Sequence, residues 1–195
     1  MSRVPRRPLL VTLVLVCALM LAACGDSHTK VTSGTYAGES GAGAPYLDVG
    51  PLVYQVQLSR QLNPFDVEDE AYVRGVPASA AKLRAGQEWL GVFMQVYNKH
   101  TQALPATSKL TITDTQGNTY TPIMLDKNNL YAYRPVEVAG HGRLPPLSST
   151  AGEGPTQGEL LLFKIGIASL DNRPLTLHIV DPANPANRAS AELDV

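Results

Sequence analysis

Cysteine and charge are both scarce in this 195-residue chain. It has two cysteines, Cys17 and Cys24, and Cys17 lies inside an apolar leader, so a disulfide-held fold is not expected. The 16 basic and 17 acidic side chains nearly cancel, which excludes nucleic-acid binding driven by bulk charge. The apolar run 9–23, interrupted only by Thr12, is shorter than the roughly 20 residues that a membrane-spanning helix needs.

Residues 1–24 have the features of an export signal. Arg3, Arg6 and Arg7 precede the apolar run, and small residues follow it directly before Cys24. The ending Leu21-Ala22-Ala23-Cys24 resembles a bacterial lipobox. This resemblance implies that 1–23 is a cleaved lipoprotein signal peptide and that Cys24 carries diacylglycerol and an N-acyl chain. An ordinary secretory signal remains the alternative, and general secretion is favoured over the twin-arginine route that Arg6-Arg7 weakly suggests.

The segment after the leader predicts a tether followed by one domain. Residues 24–50 are rich in Gly, Ser, Ala and Thr, which is typical of a flexible connection, and 25–50 as a random coil would span roughly 25–30 Å. From Cys24 onward the chain keeps 13 basic and 17 acidic side chains, so attachment to the membrane is expected to come from the acyl chains. The domain is expected to cover 51–195.

Residues 51–195 predict an all-β fold. A period of two begins at Leu52, and WLGVFMQVY at 89–97 is apolar on both faces, which places it centrally. The predicted strands are 52–59, 89–97, 109–113, 118–123, 133–138, 159–167 and 175–180. A single helical turn is expected within 78–85. Seven short strands, abundant Gly and Pro, and no amphipathic helix of ten residues predict an antiparallel β-sandwich of immunoglobulin type.

Three stretches carry a family resemblance: 92–98 (VFMQVYN), 114–120 (DTQGNTY) and 158–165 (GELLLFKI). In this order behind a lipobox, they resemble the immunoglobulin-like domain of uncharacterised exported lipoproteins of Gram-positive bacteria, a family named by analogy with a telomere-repeat-factor domain. The resemblance spans roughly residues 83–181. It implies an envelope location and a sandwich fold, and it supplies no established catalytic residues.

The residues that carry catalysis or bind metals form no recognisable pattern. His28, His100, His141 and His178 show no HxH, HxxxH or HExxH spacing, and there is no GxSxG motif, so an enzyme is not expected. Calcium binding through Asp66, Glu68, Asp69 and Glu70 is weighed against a solvated acidic loop, which is favoured because the EF-hand spacing and glycine are missing. Copper binding through Met94, Met124, His100 and His141 is weighed against core packing of Met94.

The sequence therefore favours a non-catalytic binding or accessory module, anchored to the extracytoplasmic face of the cell membrane by lipid on Cys24. The proposed partner is an envelope protein or a cell-wall ligand. Contact would be through an open edge strand or a loop, and Phe65, Tyr72 and Arg74 are the predicted binding residues. A metal-handling lipoprotein for calcium or copper is the alternative, and no non-covalent cofactor is expected. The sequence leaves the oligomeric state open.

Overall fold

The computed structural model describes residues 29–32, 46–193 and 195, and this part of the chain consists mainly of strands. The strands are β1 Thr29–Thr32, β2 Leu47–Val49, β3 Leu52–Leu62, β4 Gln87–Asn98, β5 Leu104–Pro105, β6 Lys109–Thr113, β7 Thr119–Tyr120, β8 Glu137–Val138, β9 Arg143–Leu144, β10 Glu159–Gly166, β11 Leu175–Val180 and β12 Arg188–Leu193. The helices are α1 Val67–Val73, α2 Ala78–Ala81 and α3 Thr150–Glu153, with a 3₁₀ turn at Ile167–Leu170.

Two sheets face each other. The first sheet has the order β10-β4-β3-β2, with β9 also pairing with β4, and the second has the order β1-β12-β11-β6-β7. The strand pairings of the described residues are antiparallel except that of β1 with β12. In immunoglobulin terms, β3, β4 and β10 take the places of strands A, B and E, whereas β6, β11 and β12 take those of C, F and G. The predicted antiparallel sandwich is confirmed.

Alternate residues of each strand form the sandwich core. Tyr54, Val92 and Phe163 of the first sheet pack with Ile112 and Leu177 of the second, and all of these residues are buried. The period of two in the sequence produces this arrangement, because successive side chains of a strand point to opposite faces. Full burial of such side chains contributes about 1.5–3 kcal/mol each, so the two inner faces dominate the stability of the domain.

The outer face of the first sheet carries a second apolar cluster, which explains why β4 is apolar on both sides. Trp89 and Phe93 face outward from β4 and belong to one apolar cluster with Tyr72 of α1. The Tyr72 ring meets Phe93 and Tyr131 edge to face, with centroids 4.9 Å and 4.7 Å away. The helical segment between β3 and β4 therefore closes a second layer of the fold.

The acidic stretch forms the start of a helix and was wrongly predicted as a solvated loop. The Asp66 side chain caps α1 by accepting a hydrogen bond from the Glu68 N–H at 2.9 Å. Asp69 is buried, and its carboxylate pairs with the Arg60 guanidinium and accepts the Asn63 N–H at 2.8 Å. Carboxylates in a first turn are stabilised by the helix dipole, so these residues have a structural use.

The predicted tether, 24–50, contains strands β1 and β2. Leu47 and Val49 are buried in the sandwich core, so the domain begins before residue 51. Strand β12 also went unpredicted, because two of its inward positions are alanines, which give a weak apolar signal. The expected strand 118–123 is reduced to Thr119–Tyr120, since Pro122 cannot donate to a ladder. Likewise, 133–138 is reduced to Glu137–Val138.

We expect Asp69→Asn to destabilise the domain by about 1–3 kcal/mol, because it breaks a charged hydrogen-bond pair that fixes α1 to β3. Burial alone raises the pKa of Asp69, but hydrogen bonds from Arg60 and Asn63 outweigh it and hold the pKa below its ordinary value. Urea unfolding at pH 7 measures the loss. The control is Glu70→Gln, whose exposed pair with Arg74 contributes at most about 1 kcal/mol. Equal unfolding midpoints for the two variants would contradict the structural role of Asp69.

Candidate functional site

An apolar cavity of about 480 Å³ opens on the side of the sandwich, between β6 and β10. Its volume is in the range of sites that hold drug-sized ligands, roughly 300–1,000 Å³. The lining residues are Ser108, Lys109, Leu110, Thr111, Thr121, Pro122, Ile123, Met124, Leu125, Ala132, Tyr133, Pro135, Leu160, Leu161 and Val180. We refer to this site as the side cavity.

The side cavity exists because the chain leaves the second sheet early. Strand β7 pairs with β6 only at Ile112↔Tyr120 and Thr113↔Thr119. Pro122 follows at once, and the chain then crosses to β10, where Ile123 pairs with Leu162. In the part of β6 before Ile112, β11 is therefore the one strand paired with it among the described residues, and the other edge of β6 is open. The open edge of β6 forms one wall, and the crossing segment, residues 121–135, forms another.

The walls are mainly aliphatic. Leu110, Leu160 and Leu161 are buried and belong to the two apolar clusters. Met124 stands at the mouth with 64% of its surface exposed. Lys109, also exposed, is the one charged residue among those that line the cavity in the described part of the chain. The arrangement suits an apolar body with a negative group near Lys109.

One lining residue of the side cavity, Tyr133, is fixed by a hydrogen-bond network around Thr107, which is buried. The Thr107 N–H donates to the Tyr54 hydroxyl at 2.8 Å, and the Tyr133 hydroxyl donates to the Thr107 carbonyl at 2.7 Å. The two tyrosine hydroxyls are also hydrogen-bonded to each other. Burial raises the pKa of Tyr54 to about 12, and burial also raises the pKa of Tyr133, so both phenols stay protonated at neutral pH.

The carboxyl of Glu159 lies close to this network. It accepts a weak hydrogen bond, 3.4 Å long, from the Arg134 N–H, and it interacts electrostatically with Tyr133. Burial raises the pKa of Glu159 to about 7, against the lowering effect of Arg134. In β10, Glu159 directly precedes Leu160 and Leu161, which line the cavity, whereas Glu159 itself is not a lining residue.

The structure does not bring the predicted binding residues Phe65, Tyr72 and Arg74 into one surface. Phe65 is 94% exposed before α1, whereas Tyr72 is 6% exposed and belongs to the outer apolar cluster. Arg74 is exposed and pairs with Glu70 at 3.1 Å. The interpretation of Tyr72 as a contact residue was wrong, because its ring is needed to cover Phe93. Cys24 lies outside the described residues.

The candidate metal ligands are also far apart in the fold, buried, or already hydrogen-bonded to other groups. Met94 is fully buried in the sandwich core, and Met124 stands at the mouth of the side cavity. The His141 N–H donates to the His100 carbonyl at 2.8 Å, a contact between main chains. His178 is hydrogen-bonded to the hydroxyls of Thr113 and Ser190. Within residues 29–32 and 46–195, apart from 194, no three His, Cys, Asp or Glu side chains gather as a metal site.

The side cavity was not predicted from the sequence. Its walls come from segments as distant in the sequence as Ser108 and Val180, which only the fold brings together. One local signal was available: Pro122 ends the pairing of β7 and is followed by the apolar residues 123–125. Among the described residues, no helix has the length and apolar character needed to cross a membrane.

Comparisons with known proteins leave the family open. No family model matches the chain, and no curated protein matches it. Three solved structures are similar. The yjhA protein of Bacillus subtilis is 9% identical, with 81% of this chain and 100% of that chain covered and a TM-score of 0.49. An uncharacterised β-sandwich protein of Clostridium difficile is 10% identical, with 83% of this chain and 97% of that chain covered and a TM-score of 0.44, and the lipoprotein candidate ycdA of Bacillus subtilis is 11% identical, with 81% of this chain and 39% of that chain covered and a TM-score of 0.46. The family resemblance stated above stays a prediction.

We expect the stability of the domain to depend on pH through Glu159. In the unfolded chain this carboxyl loses its proton near pH 4.5, whereas in the folded chain it keeps it up to about pH 7. The folded state binds more protons in this window, so the free energy of unfolding falls as pH rises through it. Between pH 4.5 and about 7, the free energy of unfolding of the unchanged protein should fall by about 3 kcal/mol more than that of Glu159→Gln.

Urea unfolding at several pH values measures this difference. Glu137→Gln, on an exposed residue, serves as the control and should follow the unchanged protein. Parallel pH profiles for Glu159→Gln and the unchanged protein would contradict the raised pKa.

Proposed function

We propose that this protein is a non-catalytic binding module, held on the extracytoplasmic face of the cell membrane by lipid on Cys24, and that its ligand is a small apolar molecule held in the side cavity. The observation that carries the proposal is the side cavity itself, because it is large, apolar and open to solvent through Met124. The export signal and the lipobox-like ending support the location.

The walls of the side cavity favour binding because they are largely pre-formed. Leu160, Leu161 and Leu110 lie on paired strands, and Tyr133 is fixed by its hydrogen bond to Thr107. A ligand that enters rigid walls loses less affinity to the ordering of side chains than one that enters a mobile surface. Contact with these aliphatic walls is expected to be the main source of affinity.

A direct test replaces the exposed apolar residue at the mouth. Met124→Glu places a charge against the apolar wall, and we expect it to weaken binding of the uncharged fluorescent probe N-phenyl-1-naphthylamine by about tenfold or more, equivalent to about 1.4 kcal/mol. Leu130→Glu is the matched control, because Leu130 is 68% exposed, close by in sequence, and does not line the cavity. Equal affinities for the two variants, or absence of probe binding to the unchanged chain, would contradict the proposed site.

The anchor is tested separately by the intact mass of the protein extracted from cell membranes. We expect a chain that begins at Cys24 and carries the mass of diacylglycerol and a further acyl chain. Cys24→Ser should abolish both the added mass and the retention in membranes, since two or more acyl chains are needed for stable attachment. An unmodified mass for the membrane-extracted protein would overturn the location while leaving the side cavity untouched.

A further inference from the structure

One row of paired residues connects the first described strand to the side cavity. Thr29 pairs with Arg188, Arg188 pairs with Val180, and Val180 pairs with Lys109. Neighbouring strands lie about 4.8 Å apart, so Lys109 is roughly 14 Å from Thr29 across the sheet. Val180 and Lys109 both line the side cavity. The place where the chain joins the second sheet and the rim of the cavity therefore lie at the same end of the sandwich.

The connection from this row to the proposed anchor is short. Only residues 25–28 separate Cys24 from Thr29, and an extended chain spans at most about 3.6 Å per residue. Thr29 therefore lies no further than roughly 18 Å from the Cys24 backbone. A lipid on Cys24 would therefore hold Thr29 within about 18 Å of the anchor, and Lys109, at the other end of the row Thr29–Arg188–Val180–Lys109, within about 32 Å.

The charge at the rim fits an anionic headgroup. Lys109 is exposed there and is the one positively charged residue among those that line the cavity in the described part of the chain. The neighbouring wall is aliphatic, with Leu110, Leu161 and Met124. An apolar chain inside the cavity and a negative head beside Lys109 would satisfy both parts of the site at once.

We infer that the side cavity takes a single acyl chain of an anionic amphiphile directly from the membrane to which the protein is anchored. This inference rests on the proposed function and adds the class of ligand and its source. The shared chemistry, an acyl chain with a negative head, is found both in free fatty acids and in anionic phospholipids.

The test uses Cys24, the sole cysteine of residues 24–195, as the attachment point. This polypeptide is coupled through Cys24 to a maleimide lipid in phosphatidylcholine vesicles that contain cis-parinaric acid, a fluorescent fatty acid. Energy transfer from Trp89, the only tryptophan, reports entry of the probe. Met124→Glu, which alters the mouth, gives the signal from probe that is merely in the bilayer, and the difference between the two is the binding signal.

Lengthening the connection tests the membrane as the source. A flexible Gly/Ser insert between Gly25 and Asp26 is chosen to make the connection about fivefold longer, and effective concentration falls roughly as the −3/2 power of linker length. Transfer should therefore slow roughly tenfold. Equal rates with and without the insert would overturn the inference. If N-phenyl-1-naphthylamine still binds in that case, the proposed function survives; if it does not bind, both fail.

Charge reversal tests the headgroup. Lys109→Glu should weaken capture of cis-parinaric acid several-fold, whereas Lys82→Glu, an equal change on an exposed lysine outside the cavity, should leave it unchanged. Equal capture by the two variants, or equal capture of the uncharged methyl ester by the unchanged protein, would overturn the anionic head. A second arm replaces the acid by parinaroyl phosphatidylglycerol: transfer of the acid alone supports a fatty acid, transfer of the phospholipid supports a membrane lipid, and transfer of neither overturns the inference.

Discussion

The hydrogen-bond network of Thr107 sets the spacing of the two sheets at one end of the sandwich. Its main chain bonds to Tyr54 of the first sheet and Tyr133 of the crossing segment, while its hydroxyl bonds to the Val180 carbonyl and accepts the Lys109 N–H. Thr107 is buried, and an unpaired buried polar group costs about 1–3 kcal/mol. The four partners therefore cannot move apart independently. Three of them, Tyr133, Val180 and Lys109, are walls of the side cavity, so its shape follows from the same contacts.

The open edge of β6 raises a second physical question, because an unpaired strand edge is a template for pairing with another chain. Lys109 is the first residue of β6, and a charged lysine at a strand edge discourages the addition of a further strand. Pro122, on the crossing segment that lines the same cavity, has no N–H to donate to an added strand. Both residues make the site a poor acceptor for a peptide strand and leave its apolar walls free.

The sequence predicts much of the core and little of the site. The alternation at 52–59 and the run 89–97, apolar on both faces, identify β3 and β4. The order of apolar and polar residues along a strand directly reflects whether one or both of its faces are buried. The role of Asp69 was missed because its partner, Arg60, lies on another element. Without knowledge of that ion pair, a run of acidic residues in the sequence is interpreted as a solvent-exposed loop. The β12 strand was missed because its buried residues Ala189 and Ala191 are small and give little hydrophobic signal. The side cavity has no local pattern, since it is a gap between segments.

Local composition also overestimated the length of the predicted tether, 24–50, because strands β1 and β2 lie within it. Small and polar residues at 25–50 are typical of a flexible connection, yet Thr29–Thr32 adds to the exposed edge of β12 through main-chain hydrogen bonds, which require no apolar side chains. Only residues 25–28 then separate Cys24 from the sheet. If Cys24 carries lipid as proposed, a connection this short would keep one end of the sandwich close to it, whereas a coil over the whole of 25–50 would let every face approach equally. Under the proposed anchoring, the pairing of β1 with β12 would place the row that runs from Thr29 to Lys109 on the side nearest Cys24.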